Sequence, residues 1–170
     1  MIRKISLAVL LAAASAAPAA AAEPATLLGV FQNWSAYSAG NGNDLTCYAL
    51  SQPRATQPRG AKRGPIYLMV SDWPGRKVKA EPQVVLGYPV KENAAAAVAV
   101  GGAKFAFFAR GDGSAWLQGL GENARLIETM GKGVSAVATG LSARGTKTSD
   151  TYSLSGFSDA LAKIHDVCKM

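Results

Sequence analysis

Alternating apolar and polar residues recur along most of the chain, and they predict β-strands separated by turns. Residues 29–37 and 45–52 have this pattern and flank the turn cluster GNGND (40–44), so they predict a β-hairpin. The turn signals recur at intervals of about 8–15 residues, which favours a sandwich or barrel over a parallel α/β sheet. Further strands are predicted over 66–70, 83–88, 105–109, 115–117, 134–141 and 147–154.

Two segments have helical periodicity instead. Residues 122–130 predict a short helix that ends at Gly131, a residue type common just after helix C-termini. Residues 156–169 predict a second helix, with Ser155 placed to cap its start. The apolar side chains of this helix form one stripe: Phe157, Leu161, Ile164 and Cys168. We therefore predict a mostly β fold, a β-sandwich or barrel-like single domain with one short internal helix and a C-terminal helix.

The predicted strand before the C-terminal helix has a sidedness of its own. Alternation places Tyr152 and Leu154 on one face, and Phe157 begins the following helix. We predict that these three side chains are buried and join the strand to the helix. The alternative is a polar binding site formed by Lys147, Asp150 and Tyr152.

The beginning of the chain has the layout of a secretory signal peptide. Arg3 and Lys4 precede an apolar run over 5–14, and small residues lead up to a cleavage site after Ala22. The apolar run is shorter than the roughly 20 residues that a membrane-spanning helix needs. We therefore expect export to the periplasm or beyond, with no transmembrane segment after the signal peptide is removed.

Export divides the chain into a signal peptide, 1–22, and a mature domain, 23–170, that enters an oxidising compartment. Cys47 and Cys168 are the two cysteines of the chain, and this compartment and their even number predict a disulfide between them. The position of Cys168 on the apolar stripe of the helix agrees with that pairing. The alternative, a reactive thiol, would leave the other cysteine unpaired.

No catalytic or metal-binding pattern is recognisable in the sequence. Two cysteines and one histidine cannot supply the four ligands of a structural zinc site. His165 near a helix C-terminus and Asp159 in a first helical turn are both typical of structural positions. We expect no catalytic residue, no cofactor and no metal. The alternative is an exported hydrolase-type enzyme, which a pocket holding two or more of Asp112, Asp150, Asp159 and His165 would favour.

Positive charge changes this picture, because it is concentrated in two segments. The chain has 18 Lys and Arg against 11 Asp and Glu, a net charge of +7, and much of the excess lies in 52–65 and 75–82. These loops form a candidate surface for an anionic partner such as lipid phosphates, acidic glycans or a protein. A solvated face that keeps the protein soluble is the alternative, and export argues against nucleic acid. The candidate residues are Arg54, Arg59, Lys62, Arg63, Arg76, Lys77 and Lys79.

The run RGTKTSDTYSLSGF (144–157), followed by a helix ending in Cys168, resembles the signature of the invasion-associated locus B family, small exported proteins of Gram-negative bacteria. The sequence departs from the family pattern over 94–100, where an Ala-rich stretch replaces a more typical polar–apolar strand. Shorter segments upstream of this run also match the family, and they occur in the family's order: GVFQNWSAY (29–37), CYALSQP (47–53), PIYLMVSDWP (65–74), VLGYPVKE (85–92), AWL (115–117) and TMGKG (129–133).

The resemblance implies a compact, mostly β domain that is exported to the periplasm or secreted, and it brings no catalytic residues with it. Some members of the family are linked to host-cell entry. We therefore expect a non-enzymatic envelope or secreted protein that acts by binding an envelope or host-surface partner, with a role in host-cell interaction or invasion among its functions. A structural or stress-related periplasmic role is a further alternative, and the sequence leaves the oligomeric state open.

Overall fold

The computed structural model describes residues 24–91, 94–119 and 121–170. The predicted signal peptide and its cleavage site after Ala22 lie outside these ranges. Helix α1 (Glu122–Lys132) lies between strands β9 and β10, and helix α2 (Phe157–Cys168) follows β11. The strands are β1 (Thr26–Phe31), β2 (Trp34–Ala39), β3 (Thr46–Ser51), β4 (Ala55–Gln57), β5 (Tyr67–Trp73), β6 (Val78–Val85), β7 (Ala94–Val100), β8 (Ala103–Ala109), β9 (Ser114–Leu117), β10 (Ser135–Leu141) and β11 (Lys147–Ser153).

These strands form one antiparallel sheet in the order β1-β2-β3-β5-β6-β9-β8-β7-β10-β11-β4. The sheet does not close, because β1 and β4 remain edges, so a sandwich describes it better than a barrel. The two ends nevertheless approach each other: the indole N–H of Trp34 in β2 donates to the backbone carbonyl of Ser153 in β11 at 3.0 Å, in the interior. The predicted mostly β fold with one internal and one C-terminal helix is confirmed.

Helix α2 covers β1, β2, β3 and β5 and supplies much of the core beneath them. Its side chains Phe157 and Ile164 are buried, and the Phe157 ring lies 4.9 Å from the buried indole of Trp34. Cys168, at the end of the helix, is bonded to Cys47 in β3. The predicted disulfide is therefore confirmed, and it fixes the last turn of α2 to β3, the third strand in the sheet order.

The junction between β11 and α2 is buried as the alternation predicts. Tyr152, Leu154 and Phe157 are 0%, 5% and 1% exposed. The prediction that Ser155 caps the helix is wrong, because no side chain caps its first turn and Gly156 stands at the N-cap with φ +89°. A Cβ at Gly156 would lie 1.9 Å from the carbonyl oxygen of Phe31, so both the backbone angle and the close approach require glycine here.

Four strand predictions differ from the structure. The strand predicted over 83–88 is the end of a longer strand, β6, which starts at Val78 and stops at Val85. Residues 29–37 are not one strand: the chain turns at Gln32, with φ +53°, so this segment belongs to β1 and β2. Strand β4 lies inside the loop predicted over 52–65, where it pairs with β11. The Ala-rich segment 94–100 is a full strand, β7, because β8 and β10 hydrogen-bond to both of its edges. Pairing with neighbours outweighs the weak strand preference of alanine.

Candidate functional site

A cleft of about 710 Å³ opens on the outer face of the sheet, across β5, β6, β9 and β8. This volume lies within the range of roughly 300–1,000 Å³ that is typical of small-molecule sites. We name it the Trp–Arg cleft. The side chains that define it are Trp73, Arg76, Glu81, Gln83, Arg110 and Trp116.

Strand register places these side chains on one face. Ala80, Pro82 and Val84 of β6 are buried, so the alternating residues Glu81 and Gln83 point to the outer side. Gln83 is paired across β6 and β9 with Trp116, and Trp116 is paired across β9 and β8 with Phe108. One row of side chains therefore crosses three strands of the outer face. Trp73, at the end of β5, extends the cleft along β6, where it is paired with Val78.

Each tryptophan of the cleft carries an arginine on its ring. The guanidinium carbon of Arg76 lies 4.6 Å from the ring centroid of Trp73, and that of Arg110 lies 5.2 Å from the centroid of Trp116. Both arginines are exposed, and neither forms an ion pair with a carboxylate among the described residues. Stacking holds the guanidinium plane while leaving its N–H groups available to an anion.

The cleft also contains one carboxylate and two amide side chains. The indole N–H of Trp73 donates to Glu81 Oε2 at 3.1 Å, which orients both side chains. Gln83 and Asn123 line the same cavity. Two cations and one carboxylate give the cleft a net positive charge. Its two amide side chains add hydrogen-bond donors and acceptors.

The structure divides the predicted basic surface into two patches. Arg54, Arg59 and Lys62 are exposed on the connection between β3 and β5, whereas the three basic residues of segment 76–79 follow the other end of β5. Seven strand residues separate these ends, a distance of about 23 Å at 3.3 Å per residue. Of the predicted residues, Arg76 lines the Trp–Arg cleft, together with Arg110, which the sequence analysis missed.

Arg63 does not belong to that surface, which corrects the prediction. Its side chain is 5% exposed and forms an ion pair with Asp150, whose side chain is 0% exposed. The Arg63 guanidinium also lies over the ring of Tyr88, 5.0 Å from its centroid. The Pro- and Gly-rich segment around Arg63 predicts an exposed loop. The side chain is buried because its partner, the carboxylate of Asp150, lies 87 residues away in the sequence and is itself buried.

The family model described as "Invasion associated locus B (IalB) protein" matches residues 34–165. The chain belongs to this family. The match covers β2 to β11 and most of α2, so it includes every element of the Trp–Arg cleft. Comparison with curated proteins and with solved structures finds no match. Neither helix in the described part of this IalB-family chain has the length and hydropathy that crossing a membrane requires.

The acidic residues considered for an enzyme lie apart in this IalB-family fold. Asp150 is held by Arg63. Asp112 Oδ1 accepts the backbone N–H of Ser114 at 2.8 Å in the turn between β8 and β9. Asp159 is exposed in the first turn of α2. None of the three lines the Trp–Arg cleft.

His165 forms a close pair with Asp72 that the sequence analysis did not identify. Its Nδ1 lies 2.7 Å from Asp72 Oδ2, and the other oxygen of Asp72 accepts the backbone N–H of Ala80 at 2.8 Å. Asp72 is the cross-strand partner of Cys47, and His165 precedes Cys168 by three residues on α2. The pair is thus a second link between α2 and the sheet beside the disulfide, whereas the sequence predicted only a favourable position near the helix C-terminus.

The half-buried Tyr88 and the buried Tyr152 lie beside the Arg63–Asp150 pair. Tyr88 Oη and Thr148 Oγ1 share a hydrogen bond of 2.5 Å, while the hydroxyl of Tyr152 has no hydrogen-bond partner among the described residues. Burial, and then the nearby charge of Asp150, raise the pKa of Tyr152 well above its usual range. This polar cluster is enclosed in the fold and supports it, and we do not assign it a ligand.

Proposed function

We propose that the protein is exported and acts without catalysis, by binding an anionic envelope or host-surface partner in the Trp–Arg cleft. One observation carries the proposal: Arg76 and Arg110 line the same cleft, each stacked on a tryptophan and neither neutralised by a carboxylate of the described chain. An unpaired arginine with an ordered guanidinium is well suited to carboxylate, sulfate or phosphate groups.

The surroundings of these two arginines favour a role in binding a partner over a role that only keeps the protein in solution. A charge that only keeps a protein in solution needs no ordered surroundings, and the exposed Arg59 and Lys62 fit that description. Arg76 and Arg110 instead stand on aromatic side chains, which fix their positions and reduce the entropy lost on binding. Tryptophan and arginine are also the residue types that contribute most to binding energy at protein interfaces.

Export is supported by two independent observations. The Cys47–Cys168 disulfide fits an oxidising compartment, and the first 22 residues have the composition of a signal peptide. N-terminal sequencing of the protein recovered from the envelope or the medium should begin at Glu23. Recovery of the protein with Met1 intact would contradict the proposed cleavage.

A role without catalysis is supported by how the candidate catalytic groups are used. His165 and Asp72 link α2 to the sheet, and Asp150 is neutralised by Arg63. A Trp-, Arg- and amide-lined cleft fits binding, and it does not contain an acid–base pair with His165. The family's link to host-cell entry makes a host surface one of the places where the partner would be found.

The test is affinity capture from envelope extract with the mature protein, 23–170. Arg76→Ala/Arg110→Ala should lose the captured partner, and capture by the wild type should decrease with added salt. The matched control, Arg54→Ala/Arg59→Ala, removes the same charge outside the cleft and should capture normally. Equal capture by both double variants would contradict the cleft as the binding site.

A further inference from the structure

We infer that the Trp–Arg cleft binds a linear acidic oligosaccharide, one whose sugar rings carry carboxylate or sulfate groups. This inference rests on the proposed function, and it names the class of anionic partner. Three features of the cleft carry it: the placement of its two cations on separate rings, the chemistry of its polar groups, and its aromatic floor.

The two cations stand on the rings of different strands. Trp73, which carries Arg76, is paired with Val78, whereas Trp116, which carries Arg110, is paired with Gln83. β5 and β9 flank β6 in the sheet, so the two rings stand on strands whose backbones are roughly 10 Å apart. Each arginine therefore has its own ring as a support and offers a separate contact for an anion. A chain with acidic groups on successive units can place one at each arginine.

The polar groups between the cations suit hydroxyl groups better than further anions. Glu81 uses Oε2 to accept the Trp73 indole N–H, and its Oε1 has no hydrogen bond among the described residues. A carboxylate oxygen repels an anion but accepts a hydrogen bond from a hydroxyl. The amides of Gln83 and Asn123 can donate and accept. Sugar rings supply many hydroxyls between their acidic substituents.

The floor of the cleft is apolar and aromatic. Phe108 and Trp116 are neighbours with tilted rings, their centroids 6.4 Å apart and their planes inclined by 32°, and Leu117 extends the surface. Mixed sites of this kind, mostly apolar with a few oriented polar groups, are typical of small-ligand recognition. The apolar C–H face of a sugar ring fits the aromatic rings, while its hydroxyl edge meets the amides and Glu81.

A lipid phosphate is the weaker candidate for this cleft. A headgroup would use the cations singly, would be repelled by Glu81, and has no need of the aromatic floor between them. An acidic peptide shares the charge but carries few of the hydroxyl donors that Glu81 Oε1 would accept. These two classes are therefore outcomes that would overturn the inference.

The experiment is calorimetric titration of the mature protein at low salt with three oligosaccharide probes and two rival anions. Tetragalacturonate and a heparin tetrasaccharide test the two acidic groups, and fully methyl-esterified tetragalacturonate is the neutral match. Vesicles containing phosphatidylglycerol and a poly-glutamate peptide represent the rival anions in parallel assays. At least one acidic oligosaccharide should bind at least about tenfold more tightly than the neutral ester.

Variants identify the site. Arg76→Ala/Arg110→Ala should weaken binding of the acidic oligosaccharide at least about tenfold, and Arg54→Ala/Arg59→Ala should leave it unchanged at the same low salt. Arg76→Lys/Arg110→Lys keeps the charge but loses the planar fork, so it should also weaken binding. Far-UV circular dichroism melts confirm that each variant is folded.

Glu81 separates a sugar from a simple anion by the direction of the effect. If Glu81 accepts a sugar hydroxyl, Glu81→Ala should bind the acidic oligosaccharide more weakly than Glu81→Gln, which keeps an acceptor. If the cleft only attracts negative charge, the two variants should bind alike, and both more tightly than the wild type. The second pattern would overturn the inference.

The remaining outcomes are also decisive. Equal binding of the acidic and esterified oligosaccharides would overturn the inference. Binding only to vesicles or to poly-glutamate, and only through Arg76 and Arg110, would overturn the inference while leaving the proposed function standing. No binding of either acidic oligosaccharide would overturn the inference, and unchanged capture from envelope extract by Arg76→Ala/Arg110→Ala would overturn the proposed function as well.

Discussion

Arg63 donates from Nη1 and Nη2 to the two carboxylate oxygens of Asp150, both at 2.7 Å. The same guanidinium donates from Nε and Nη2 to the backbone carbonyl of Leu86, at 3.1 and 2.7 Å. One side chain thus ties the loop before β5 to β11 and to the residue that follows β6. Burial lowers the pKa of Arg63, but the hydrogen bond and charge of Asp150 outweigh it and raise the pKa overall.

Removing Arg63 should therefore be far more damaging than removing its basic neighbours. Arg63→Ala leaves Asp150 buried without a partner, and breaking a buried pair in this way costs about 3–5 kcal/mol. Arg59→Ala, at an exposed position of the same loop, should change stability by no more than about 0.5 kcal/mol. Urea unfolding measures both. Similar small losses for the two variants would show that the ion pair does not stabilise the fold.

Tyr152 gives a pH-dependent prediction. Its pKa is raised in the folded state, so the folded protein retains a proton that the unfolded chain releases near pH 10. Stability should therefore be unaffected by this group below about pH 9 and fall above pH 10, by up to about 1.4 kcal/mol per pH unit.

Tyr152→Phe isolates that contribution. Since the hydroxyl has no hydrogen-bond partner among the described residues, its removal should change stability at pH 7 by less than about 1 kcal/mol. The variant should lose less stability than the wild type between pH 10 and pH 11 in urea titrations. Parallel curves for the two proteins would contradict the assignment to Tyr152. A loss of anion binding in this variant would support the alternative polar site at Lys147, Asp150 and Tyr152.

The disulfide should account for a large share of the stability. It closes a loop of 121 residues between Cys47 and Cys168. Cys47→Ser/Cys168→Ser should lower the free energy of unfolding by about 2–5 kcal/mol, as native disulfides of small exported domains usually contribute. Mass mapping without reduction should find the two peptides linked. Labelling of either cysteine by a thiol reagent in the native protein would contradict the bond.

Phe157 anchors α2 against the sheet, and its truncation should be costly. The ring is 1% exposed and packs on Trp34. Phe157→Ala should destabilise the protein by about 3–5 kcal/mol, because it removes apolar contacts and leaves a cavity. Thermal unfolding measures the loss, and Leu141→Ala, at a 41% exposed position, is the control. An unchanged midpoint for Phe157→Ala would show that α2 is held by other contacts.

The requirement for glycine at position 156 can be tested with Gly145, a glycine of similar backbone angle, as the control. Gly156 and Gly145 have φ +89° and +85°, but a Cβ at 145 would meet nothing within 4 Å. Gly145→Ala should cost about 1 kcal/mol for the backbone angle alone. Gly156→Ala adds a clash with the Phe31 carbonyl and should cost more than its control in chemical denaturation. Equal losses of stability for the two variants would mean that the backbone around Phe31 and Gly156 can shift at little cost to accommodate a Cβ.

The sequence by itself determined the features that depend on local periodicity and on chemical type. Alternation predicted a mostly β fold and the burial of Tyr152 and Leu154, and a helical stripe predicted α2, because both patterns repeat within a few residues. The two cysteines predicted their own bond, since no other partner exists in the chain.

Tertiary structure alone decided which charged residues are available. Arg63 and Arg76 look alike in the sequence, yet one faces a buried carboxylate 87 residues away and the other an open cleft. The cleft itself joins side chains of β5, β6, β9 and β8, whose adjacency follows from strand order. Pairing between strands distant in the chain is a long-range choice made by packing and hydrogen bonding, and no local pattern encodes it.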